Sequence, residues 1–162
     1  MSKTKLSILL LTSFFIFSCT NNQNNQINQK YSLAYIGGEY DGLLLKNYLL
    51  GNLKNLKIYD PNSNLEIQAT INHTTSSYIT NINNTSDRER INTRLSFQII
   101  NTVNNCEVLN EEISVSQFYI YTSSDKFLSN LTAAKEIKKN NTETTVRYFL
   151  NRLKGISGEC NE

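Results

Sequence analysis

The chain has no tryptophan and only one proline, one methionine and one histidine among 162 residues. The single histidine, His73, sits in a Thr/Ser-rich stretch with no second ligand or acidic partner close in sequence, and reads as a solvated side chain rather than a metal ligand or base. No His-Glu-x-x-His, Cys-x-x-Cys or Gly-x-Ser-x-Gly pattern occurs, so zinc hydrolysis, dithiol exchange and nucleophile-elbow chemistry have no support. The glycine-rich stretch 37–42 (GGEYDG) fails as a phosphate loop on spacing. It also puts two carboxylates where backbone amides would have to meet an anion. Glu111 and Glu112 are neighbours in a strand signal, point to opposite faces, and cannot work as a general acid–base pair. The expectation is a protein that is not an enzyme and uses neither metal nor cofactor.

An excess of one charge is missing too. The formal net charge is +2, and it comes from Lys3 and Lys5. Without them the chain carries 14 basic and 14 acidic side chains, leaving no surplus to displace counterions from phosphates, so no nucleic-acid partner is expected. Long apolar runs are confined to residues 6–17. That run is shorter than the roughly 18 residues a spanning helix needs, which excludes a polytopic membrane protein. Preceded by the two lysines, it reads as an export signal over residues 1–18.

The signal ends in Ile16-Phe17-Ser18-Cys19. This resembles the bacterial lipoprotein box, with an aliphatic residue three before the cysteine and a small one just before it; Phe17 departs from the usual small or β-branched residue. The resemblance implies that Cys19 becomes the first residue and carries thioether-linked diacylglycerol and an N-acyl chain such as palmitate. Several acyl chains together give stable membrane anchoring. Thr20, where an inner-membrane retention signal shows Asp, points to the cell outer membrane, with the domain on its periplasmic side. Residues 21–30 (NNQNNQINQK) cannot bury enough surface to offset their ordering entropy, so residues 19–30 form a lipidated cysteine and polar tether. One domain is expected over residues 31–162.

Within it, residues 31–36 read as a first strand punctuated by Gly37 and Gly38. Asp41 is placed to cap a helix whose apolar stripe is Leu44, Leu45, Tyr48, Leu49 and Leu53, and Asp60-Pro61-Asn62 ends the unit. Leu65, Ile67, Ala69 and Ile71 alternate as a second strand. A hairpin turn is expected over residues 83–87. A third strand carries Ile91, Leu95, Phe97 and Ile99, with Arg94, Ser96 and Gln98 on its other face. After a turn at Asn104-Asn105, a fourth strand covers residues 106–121, with a break near Asn110 or a bulge near Gln117. Ser124 or Asp125 is placed to cap a last helix with Phe127, Leu131, Ala134, Val146, Phe149, Leu150 and Leu153 on one face. Its polar middle, residues 138–145, reads as exposed, frayed or kinked, and Gly155 and Gly158 stop it. The order β-α-β-β-β-α predicts an α+β two-layer sandwich: a mostly antiparallel four-stranded sheet with two helices on one face.

Two cysteines remain beyond Cys19. In an oxidising periplasm Cys106 and Cys160 are either two free thiols or a disulfide, the latter closing a loop of roughly 55 residues worth about 4 kcal/mol by chain entropy.

The lipoprotein signal, the element order and three stretches resemble the LPS-assembly lipoprotein (LptE) family. Leu45-Lys46-Asn47-Tyr48-Leu49 resembles its first helix, and residues 88–99 (RERINTRLSFQI) resemble the strand after its central hairpin. Residues 119–153, from a Tyr/Ser/Asp turn through Ala133-Ala134-Lys135-Glu136 to Phe149-Leu150-Asn151-Arg152-Leu153, resemble its last helix, though residues 138–145 (KKNNTETT) depart from the family's Ala/Glu/Arg-rich pattern. The resemblance implies an outer-membrane lipoprotein that plugs and helps assemble an LptD-type β-barrel and assists lipopolysaccharide insertion into the outer leaflet. It makes Arg88, Arg90 and Arg94 the candidates for pairing with lipid A phosphates. The competing reading is a periplasmic lipoprotein serving as auxiliary subunit of an ABC-type lipid transporter, or binding cell-wall material.

Overall fold

Alternating apolar and polar residues build the sheet, and a period near 3.6 builds the two helices laid against it. The computed structural model describes residues 27, 29–79, 86–120 and 126–160. Its strands are β1 (Ser32–Gly37), β2 (Leu65–Ile79), β3 (Ser86–Asn101) and β4 (Cys106–Ile120), in the spatial order β1-β2-β3-β4. β1 and β2 are parallel and need a crossover, which helix α1 (Glu39–Asn55) supplies; the other two pairings are antiparallel. Helix α2 (Phe127–Leu153) follows β4.

Alternate residues of the central strands enter the core over residues 65–71 of β2 and 91–99 of β3. Leu65, Ile67, Ala69 and Ile71 of β2 and Ile91, Leu95, Phe97 and Ile99 of β3 are all buried. Leu45, Leu49 and Leu53 of α1 and Val146, Phe149, Leu150 and Leu153 of α2 close over the same face. The Phe97 and Phe149 rings meet edge to face, centroids 4.5 Å apart. The result is an α+β two-layer sandwich whose second sheet face carries no helix among the described residues.

Several local expectations need correction. Asp41 does not cap α1. The helix starts at Glu39, and its N-cap is Gly38 with φ 117°, where an added Cβ would lie 2.6 Å from the Ile71 carbonyl oxygen. The irregularity in β4 is at Val108, not Gln117: Ile99 pairs with Leu109 and Ile100 with Glu107, so Val108 is the extra residue, two positions before Asn110. The residue before α2 is Lys126, which makes no side-chain cap bond; the expected caps Ser124 and Asp125 lie outside the described residues, as does most of the expected 83–87 turn.

The larger correction concerns α2. Phe127 and Leu131, expected in the core, are 63% and 55% exposed, while Asn141, Thr142 and Thr145 of the polar middle are fully buried. The threonines solve their own hydrogen bonding: Thr142 Oγ1 donates to the Lys138 carbonyl at 2.8 Å and Thr145 Oγ1 to the Thr142 carbonyl at 2.9 Å. With the hydroxyl folded onto the helix backbone, a threonine can present its methyl group to the sheet.

Candidate interaction face and buried polar seam

Because β3 alternates, its even-numbered residues share the helix-free face. Arg88, Arg90, Asn92, Arg94, Ser96 and Gln98 stand there between Tyr78, Ser76, Thr74, Asn72, Thr70 and Gln68 of β2 and residues of β4. The pairing thus brings the three candidate arginines onto one face, but in unequal surroundings. Arg94 Nε donates to Glu112 Oε1 at 3.0 Å, which compensates its charge. Arg90 is clasped by neutral groups. Nη1 donates to the Tyr78 hydroxyl at 3.3 Å, Nη2 to Ser116 Oγ at 3.1 Å, and the guanidinium carbon lies 5.8 Å from the Phe118 ring centroid. Tyr78 and Phe118 meet edge to face at 5.4 Å. Arg88 is exposed, paired in the sheet with Tyr78 and Ile120. Tyr78, Phe118 and Ile120 are 41%, 54% and 72% exposed, so the hairpin end of the face is at once cationic and aromatic. Sequence reading found the arginines and missed Tyr78 and Phe118, because residues 40 apart meet only through strand pairing.

On the opposite face His73 reverses its expected place. Its side chain is 1% exposed, and Nδ1 lies 2.7 Å from Thr93 Oγ1. Asn141 of α2 donates from Nδ2 to the same Thr93 oxygen at 3.0 Å and to the Ile91 carbonyl at 3.4 Å. Since Thr93 Oγ1 accepts from Asn141, its own proton is available to His73 Nδ1. That arrangement puts the imidazole proton on Nε2, facing Asp41 Oδ2 at 3.8 Å. Burial holds the His73 pKa below its usual 6.5; Asp41 opposes that shift and Lys138 adds to it. Four elements meet in this seam: α1 through Asp41, β2 through His73, β3 through Thr93 and α2 through Asn141. A seam of this kind fixes how the helices sit on the sheet; His73 Nε2 and Asn141 Oδ1 are buried without a hydrogen-bond partner. Burial also raises the Tyr31 hydroxyl to about 12.

Cys106, at the start of β4, is joined to Cys160 by a disulfide with Cα atoms 5.8 Å apart. It pins the segment after α2 beside the 102–105 turn, where Asn101 Nδ2 donates to the Gly158 carbonyl at 3.5 Å. Cys19 lies outside the described residues. Among the described residues no helix is long and apolar enough to cross a membrane, and no group of three or more His, Cys, Asp or Glu residues could hold a metal ion.

No family model and no curated protein sequence matches the chain. Solved structures do. Rare lipoprotein B from Shewanella oneidensis is 12% identical with a TM-score of 0.55, over 76% of this chain and 96% of that one. A minor lipoprotein from Acinetobacter baumannii gives 13%, 0.57, 78% and 90% in the same order, and lipoprotein B from Nitrosomonas europaea 11%, 0.58, 78% and 82%. The chain shares the backbone fold of these lipoproteins. At these identities the likeness is one of backbone architecture, and the residues on the helix-free face are this chain's own.

Proposed function

We propose that this chain is an outer-membrane lipoprotein of the LptE type, anchored through acyl chains on Cys19, whose domain plugs and helps assemble an LptD-type β-barrel and assists lipopolysaccharide insertion. The observation that carries the reading is the helix-free sheet face. It is long, rich in Ser, Thr, Asn and Gln, and ends in the Arg90–Tyr78–Phe118 cluster beside Arg88. A polar face of this kind suits a wet, hydrogen-bonded contact with a barrel lumen. A guanidinium beside exposed aromatic rings suits a ligand that is phosphate at one end and hydrocarbon at the other. The lipoprotein export pattern and the shared fold support the same reading. The role is steric and interfacial, without covalent chemistry.

Mild-detergent pull-down of the C-terminally tagged full chain from membranes, with mass spectrometry of its companions, tests it. The expected companion is a stoichiometric large outer-membrane β-barrel. Recovery instead with an inner-membrane ATPase complex, or with muropeptides alone, overturns the plug reading. For the lipid contact, Arg88→Glu combined with Arg90→Glu should weaken lipopolysaccharide capture by at least about tenfold, since it removes two charge-assisted contacts. Arg94→Gln, whose partner is Glu112, should change capture little. Unchanged capture by the double variant removes the arginines from the site.

A further inference from the structure

At the other end of the helix-free face, near β1, the chemistry changes. A cleft of about 140 Å³ is lined by Tyr35, Gln68, Thr70, Ser96, Gln98 and Asn110, with Ala69 and Phe97 at its base. Tyr35 is 64% exposed and forms one wall. Gly37 lets it stand there: a Cβ added to Gly37 would lie 2.9 Å from both the Tyr35 hydroxyl and Thr70 Oγ1. The opposite wall is held from behind. Gln98 Nε2 and Asn110 Nδ2 both donate to the same Glu107 carboxylate oxygen, at 2.6 and 3.1 Å. Each amide thereby spends its NH2 on Glu107 and keeps its carbonyl oxygen as the group able to accept.

No lysine, arginine or histidine lines the cleft. The Glu107 carboxylate stands behind the two amides, while Glu112, which accepts from Ser96 Oγ at 3.4 Å, is compensated by Arg94. An anion is disfavoured here, unlike at the arginine end roughly 26 Å away along β3, eight residues at about 3.3 Å each. The site suits a neutral ligand with a flat apolar side and several hydroxyl donors. Ligand pockets for drug-sized molecules run to roughly 300–1,000 Å³, so this one has room for a single ring.

We propose that this cleft binds one neutral pyranose ring, its C–H face against Tyr35 and its hydroxyls donating to the Gln98 and Asn110 carbonyl oxygens. Hexoses of a lipopolysaccharide's saccharide and N-acetylhexosamines of the cell wall share that chemistry. The cleft lies on the same sheet face as the proposed barrel contact but uses none of its arginines, and sugar binding by the isolated chain is read independently of whether a barrel co-purifies.

Saturation-transfer NMR on the detergent-solubilised full chain tests it, with maltotriose and chitotetraose as separate probes. Saturation should reach the ring C–H protons of one probe or both, and the better binder tells which source supplies the ring. Tyr35→Ala should weaken binding at least about tenfold, as truncating an aromatic anchor does, while Tyr35→Phe should stay within about threefold. Gln98→Leu, which keeps the strand but removes an acceptor, should also weaken binding and serves where Tyr35→Ala fails to fold. No transfer to either probe, or transfer unchanged in both Tyr35→Ala and Gln98→Leu, overturns the proposal.

Discussion

Asn141 shows what one buried polar side chain does here. It has no exposed surface, and it holds α2 to β3 through Thr93 and the Ile91 carbonyl. Removing one partner leaves the other's polar atoms buried and unpaired, a loss of about 1–3 kcal/mol. Asn141→Ala should therefore lower urea stability by that amount, and Asn141→Leu combined with Thr93→Val should cost less than the two single changes added. His73 adds an acid sensitivity whose sign is fixed by its lowered pKa. Above pH 6.5 both folded and unfolded forms are neutral there, and no contribution exists. As pH falls through 6.5 the unfolded chain takes up the proton first, so stability declines until the folded-state pKa is reached. His73→Gln should flatten that part of the stability–pH curve; an equal slope in both proteins would remove His73 from the account.

Helix α2 divides into two halves with different fates. From Asn141 onward it packs on the sheet, with Val146, Phe149, Leu150 and Leu153 buried, whereas Phe127, Leu128 and Leu131 in the first half are exposed at 63%, 75% and 55%. Phe149→Ala, which empties a site against Phe97, should cost about 3–5 kcal/mol in chemical denaturation. Phe127→Ser and Leu128→Ser should each stay within about 0.5 kcal/mol, as exposed positions do. Residue type along α2 misleads in both directions. Apolar spacing near the N-terminus looks like a core stripe, and the KKNNTETT run looks solvated. Burial depends on which turns lie over the sheet, and threonines that bond back to their own helix can occupy those turns without an unmet hydroxyl.

At the scale of the molecule, one sheet has two chemically unlike faces. Its helix-covered face supplies the core, and its open face carries an arginine–aromatic end and a neutral amide end. The Cys106–Cys160 disulfide spans 54 residues and ties the segment after α2 to the β3–β4 turn. Cross-linking a loop of that length restricts the unfolded chain by about 4 kcal/mol. Cys106→Ser with Cys160→Ser should therefore lower the unfolding free energy by about 4 kcal/mol and move the denaturation midpoint down accordingly, and reductant should do the same to the native chain. A midpoint unmoved by reductant would show that the bridge contributes nothing.

Period-two alternation in β2 and β3 and the Leu45, Leu49, Leu53 stripe were enough to specify the element order, the α+β layering and the face of each strand that turns inward, because those patterns are local and each buries its own apolar side. The placement of Arg88, Arg90 and Arg94 on a common face followed from the same alternation. Other features were decided only by contacts between residues far apart in the chain. Strand pairing put Phe118 and Tyr78 around Arg90, and Tyr35 across from Gln98 and Asn110. The position of α2 over the sheet buried Asn141 and brought it to Thr93 and His73. A side chain's polarity is written in its own residue, but its solvation and its hydrogen-bond partners belong to neighbours that only the folded chain brings together.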